Sequence, residues 1–73
     1  MRERIKTLLQ EALPLADLES DCLYNELDSL GITTIMMVLS DEYGVRFDYT
    51  DASPKNLRSL DHIVAMVQQK LKG

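Results

Sequence analysis

Ser29, His62, Cys22 and a run of acids are the residues with chemistry to offer in this chain. A serine nucleophile needs an activating base, and the only histidine is His62. On the wheel of the C-terminal segment, His62 points away from the stripe of Leu60, Ile63, Val64 and Val67, toward solvent. No Ser29–His62 pair is expected, and the chain does not read as an enzyme. Cys22 lies among acids, which disfavour the reactive thiolate, so its expected role is a buried or half-buried spacer. The acids Asp17, Glu19, Asp21, Glu26 and Asp28 match no calcium-loop spacing, and no Cys or His spacing suits zinc. No metal site is expected. Ser29 keeps one other chemistry. Asp28-Ser29-Leu30 stands where an acidic stretch turns into a helix. A phosphodiester on that hydroxyl would lie beside free backbone N–H groups at the positive end of the helix dipole. A serine at a helix start is more commonly only a cap, so the tripeptide alone decides little.

The elements that must position Ser29 are helical. Ile5, Leu8, Leu9, Ala12 and Leu13 follow helical spacing, which predicts a first helix over residues 3–13 with one buried face. Pro14 ends it, because proline lacks a backbone donor and restricts the residue before it. A long connection over residues 14–28 follows. Its leucines, Leu15, Leu18, Leu23 and Leu27, are expected to pin it across the bundle, with a short turn of helix on the way. The second helix begins at Asp28 or Ser29, either of which can cap it. It runs to Tyr43 and stops at Gly44. Val45 and Phe47 alternate with Arg46 and Asp48, but no partner strand is available, so residues 45–50 read as an extended linker. Ser53-Pro54 signals a short helix over residues 53–57. Ser59 caps a last helix over residues 60–71. The expected architecture is an all-α four-helix bundle, three longer helices and one short one, in a single domain over residues 1–73.

The composition suits such a bundle. Of 73 residues, 45% are hydrophobic and 27% charged, an ordinary globular balance. Three Tyr, one Phe and no Trp leave the core to Leu, Ile, Val and Met. A domain of this size buries only about 60% of the surface its unfolded chain exposes, which argues against a deep, enclosed active site. Eight Lys and Arg against twelve Asp and Glu give a net charge of −4. That disfavours nucleic acid and favours partners with basic surfaces. A lone cysteine gives no internal disulfide. The longest apolar stretch falls far short of the roughly 20 residues of a membrane span. The first residues do not read as a signal peptide. The expectation is a soluble, cytoplasmic monomer.

The second helix carries two apolar stripes. At about 100° per residue, Ile32, Ile35, Met36, Leu39 and Tyr43 share one sector and form the core face. Leu30 and Met37 lie above one another on the opposite side, flanked by Thr33, Thr34 and Asp41. Exposed apolar residues are individually unremarkable, but a narrow apolar strip beside an acid also suits docking by a partner.

Leu27-Asp28-Ser29-Leu30, followed by Ile35, Met36, Met37, Leu39, Glu42 and Tyr43, resembles the central motif and second helix of acyl carrier proteins. The resemblance continues through Val45-Arg46-Phe47, residues 53–57 and residues 60–71, and covers nearly the whole chain. It implies that a phosphopantetheinyl transferase using Mg²⁺ attaches a 4′-phosphopantetheine arm to Ser29, and that acyl groups ride on it as thioesters. It also implies that enzymes of fatty acid, lipid or polyketide biosynthesis with basic docking surfaces grip the second helix. Asp28, Leu30, Met37 and Asp41 match family positions at that surface, and Thr33 falls in the same strip. Ile32, Ile35, Met36, Leu39, Leu57, Leu60, Ile63 and Val64 are the expected lining of an acyl pocket. Where the family often has acids, this chain has Gly31, Thr34 and Ser40, and Asn25-Glu26-Leu27 replaces the usual glycine before the motif. The docking strip is correspondingly less acidic, which suits a specialised carrier at least as well as the housekeeping one. An aminoacyl carrier, for example of D-alanine, and an interaction module without a prosthetic group are the alternatives.

Overall fold

The computed structural model describes residues 1–48 and 50–72. Tyr49, inside the linker expected over residues 45–50, and Gly73 lie outside the described residues. Three α-helices, α1 (Arg2–Ala12), α2 (Ser29–Tyr43) and α3 (Leu60–Lys72), and one 3₁₀ turn (Leu23–Glu26) make up the regular structure of the described residues. There is no strand among the described residues.

Local signals set the end of α1, both ends of α2 and the start of α3. In α1, Ile5 and Leu9, one turn apart, are fully buried, and the helix stops at Ala12, two residues before Pro14, with Leu13 as its cap. Asp28 caps α2: its Oδ1 accepts the Gly31 N–H at 2.7 Å. Gly44 ends the helix in the left-handed conformation, φ 63°, and donates its N–H to the Ser40 carbonyl at 2.9 Å. A side chain at that φ would be strained. Ser59 caps α3, its Oγ accepting the His62 N–H at 3.3 Å. Asp61 in the first turn and Lys70 and Lys72 in the last complement the helix dipole.

One apolar cluster joins all three helices. Ile5 and Leu9 of α1, Ile35 and Leu39 of α2, and Leu60, Ile63, Met66 and Val67 of α3 are buried together. The connections add Leu18, Leu23 and Leu57. The Leu23 N–H donates to the Arg58 carbonyl at 2.7 Å, tying the long connection to the segment before α3. The ion pairs, Arg2 with Glu19 and Asp61, Lys6 with Glu19, Arg4 with Glu42 and Lys70 with Asp51, lie at the surface, where such pairs contribute little.

Three expectations need correction. The fourth helix over residues 53–57 is a single turn, closed by Leu57 N–H to the Ser53 carbonyl at 3.0 Å and Asn56 N–H to Ser53 Oγ at 3.1 Å. Ser53 caps as expected, but the Asn56 side chain donates back to the Asp51 carbonyl at 3.0 Å and Leu57 turns into the core. One turn is the costly part of a helix, and the bend before Ser59 leaves no length over which to propagate it. Leu15 does not pin the connection: it is 99% exposed. Leu18 and Leu23 are buried and Leu27 packs half-buried against the core, so three anchors suffice. Cys22 is exposed rather than buried, because the residue beside it, Leu23, takes the inward position.

Candidate functional site

Ser29 is the first residue of α2 and is exposed. Because Asp28 supplies the cap, the Ser29 hydroxyl is left out of it. The commonplace role for a serine at this place is filled by its neighbour. The Ser29 carbonyl accepts the Thr33 hydroxyl at 2.9 Å, and the Leu30 carbonyl accepts the Thr34 hydroxyl at 2.8 Å. Both threonines therefore turn their oxygens onto their own helix. This suits the mixed, weakly acidic character of that face.

The two-stripe reading of α2 matches the burial. Ile35 and Leu39 are fully buried, and Ile32, Met36 and Tyr43 pack half-buried against the core. Leu30 is 73% and Met37 63% exposed. Asp28, Thr33 and Asp41 are exposed alongside them. Among the described residues, Asp28 and Asp41 form no ion pair, whereas Glu42 is taken by Arg4 at 3.1 Å. The hydrogen bond from that guanidinium holds the Glu42 carboxyl below its ordinary range.

Ile32 and Thr33 follow Ser29 by three and four residues, so they continue its side of the helix. An open depression of about 260 Å³ lies there, lined by Ile32, Thr33, Met36, Phe47, Asp48 and Ala52. Of the eight residues expected to line an acyl pocket, Ile32 and Met36 face this depression. Val64 is half-buried, and Ile35, Leu39, Leu57, Leu60 and Ile63 are shut inside the core. Phe47, Asp48 and Ala52 complete its lining and are not among the residues expected from the sequence. The alternation of Val45 and Phe47 with Arg46 and Asp48 was the available signal: the first two are half-buried and the second two exposed, with no strand formed. Lys70 holds this linker against α3, with Nζ 2.8 Å from Asp51 and 5.9 Å from the Phe47 ring centre. The Thr50 hydroxyl, helped by backbone N–H groups of Asp51 and Thr50, holds the Asp48 carboxyl below its ordinary range.

His62 is exposed, and its Nδ1 lies 2.7 Å from Ser59 Oγ. The contact is local to the α3 cap. Tyr43, at the end of α2, has its hydroxyl buried without a hydrogen-bond partner among the described residues, and burial pushes its phenol pKa up. Among the described residues no helix is long and apolar enough to cross a membrane. Compared with protein-family models, curated proteins and solved structures, the chain matches none.

Proposed function

We propose that this chain is a carrier protein that bears 4′-phosphopantetheine on Ser29 and presents acyl groups to partner enzymes in the cytoplasm. One observation carries the reading: Asp28 occupies the cap and accepts the Gly31 N–H at 2.7 Å, which leaves an exposed serine hydroxyl at the start of a 15-residue helix. A phosphodiester fits that position, because the helix start favours negative charge. The arm supplies a thiol on which an acyl group is held as a thioester. The protein's own residues do the rest by position. Asp28, Leu30, Thr33, Met37 and Asp41 offer an exposed strip to partner enzymes. The depression beside Ile32, Met36 and Phe47 favours an apolar cargo over an aminoacyl one. In this reading the three helices form a carrier-type bundle whose fourth helix is reduced to the turn over residues 53–57.

The test is to incubate the chain with coenzyme A, Mg²⁺ and broad phosphopantetheinyl transferases and to record the intact mass. One pantetheine adduct is expected, mapping to the peptide that contains Ser29. No adduct with several transferases sinks the proposal.

The docking strip has a test of its own. Leu30→Ala and Met37→Ala are expected to slow use of the loaded carrier by partner enzymes. Their melts should stay within about 0.5 kcal/mol of the parent, as for most surface changes. A large loss of stability in either variant would show that the side chain packs inside.

A further inference from the structure

The face formed by the end of α1, the long connection and the first turn of α2 shares only Asp28 with the strip proposed above. It holds an open, mostly apolar depression of about 330 Å³, lined among others by Leu13, Leu15, Leu27 and Gly31, with Glu26 and Asp28 at its edge. Gly31 lies in its floor, where a Cβ would stand 3.3 Å from Asp28 Oδ1, 3.5 Å from Leu27 Cδ2 and 3.9 Å from Leu13 Cδ2, so the neighbours close around the glycine and a side chain would crowd the floor. Leu15 stands at its rim with 99% of its surface exposed. Single exposed leucines are ordinary, but this one borders an apolar hollow, where a partner can cover both together.

Charge says what kind of partner. Residues 7–45 contain no Lys or Arg, against eight acids: Glu11, Asp17, Glu19, Asp21, Glu26, Asp28, Asp41 and Glu42. The ion pairs of the structure engage Glu19 and Glu42 from this set. Glu26 and Asp28, at the edge of the hollow, pair with no cation among the described residues. Glu26 accepts the Asp17 N–H at 3.0 Å, which fixes its carboxylate beside the groove. An apolar pocket inside a one-signed rim selects a complementary sequence.

We infer that this face docks a protein segment presenting an aliphatic side chain between lysines or arginines, with Leu15 as the apolar contact and Glu26 and Asp28 as the charge contacts. The segment belongs to a partner protein. An anionic membrane is repelled by the same rim, and a second copy of this chain meeting it face to face would bring like charge to it. The inference is independent of what Ser29 carries, and its test uses the unmodified chain.

The probe is a blocked amphipathic helical peptide with one leucine flanked by lysines, titrated into ¹⁵N-labelled protein. Saturable shifts are expected at the amides of Leu13, Leu15, Leu27 and Gly31. Leu15→Ser, or serine for the peptide's leucine, should weaken binding about tenfold, the scale of losing one buried leucine. Added salt should weaken it further. Shifts centred on Leu30 and Met37, or binding indifferent to Leu15→Ser, would overturn the assignment. So would self-association that covers this face, or binding to neutral lipid vesicles in place of the peptide. An altered melt for Leu15→Ser would equally overturn it, since a fully exposed residue has no packing to lose.

Discussion

Ser29→Ala is expected to abolish the pantetheine adduct completely while leaving the melt within about 0.5 kcal/mol of the parent. The two halves of that result have separate causes. The adduct needs a hydroxyl at this place, and alanine has none. The helix does not need it, because the cap bond to Gly31 comes from Asp28 and alanine is the best helix former. Asp28→Ala is the mirror experiment. It keeps the hydroxyl but removes the acceptor of the Gly31 N–H, a loss that typically costs about 1 kcal/mol. Modification and stability should thus separate between adjacent residues. If Ser29→Ala still acquires the adduct, the arm is attached elsewhere. If it melts as Asp28→Ala does, the serine is a structural cap and the division of labour at this helix start is misassigned.

That division is where sequence and structure inform one another most. Asp28 and Ser29 are equally good caps by type, and only the geometry says which one is used. The long elements were legible because their signals are redundant. In α2, the apolar spacing, the capping pair and Gly44 all agree on residues 29–43. The exposed positions of Leu30 and Met37 follow from the same periodicity. The turn at residues 53–57 was not legible, since Ser53-Pro54 marks where a helix can start and says nothing of how far it runs. Leu15 failed for a related reason. Hydrophobicity says that a leucine gains from burial, but three other leucines were available to fasten the same connection, and the pattern in an irregular segment does not rank them. The surface depression was not legible because helix wheels give a direction and no depth. Ile35, Leu39, Leu57, Leu60 and Ile63 point inward, into a core already filled by one another and by α1. The open space lies a step outward, where the linker residues Phe47 and Asp48 meet Ile32 and Met36.

Leu39→Ala is expected to give the largest loss of stability among the substitutions considered, and it tests this layering. Leu39 is fully buried, one helical turn beyond Ile35, in the cluster that holds α1, α2 and α3 together. Truncating a buried leucine costs about 2–5 kcal/mol, from lost transfer energy and from the cavity left behind. A domain of this length commands on the order of 4–11 kcal/mol in total, at about 0.05–0.15 kcal/mol per residue. The variant should therefore lose a large share of its margin, with Tm falling by on the order of 10–40 °C. Met36→Ala, at the wall of an open depression, should cost less, because the site is already in contact with water and no closed cavity is created. The order of the two melts matters more than either value. Leu39→Ala below Met36→Ala places the closed core inside the line of Ile35 and Leu39 and the adaptable space outside it. The reverse order would mean that the hollow beside Phe47 is packed and that α2 opens along its inner face instead.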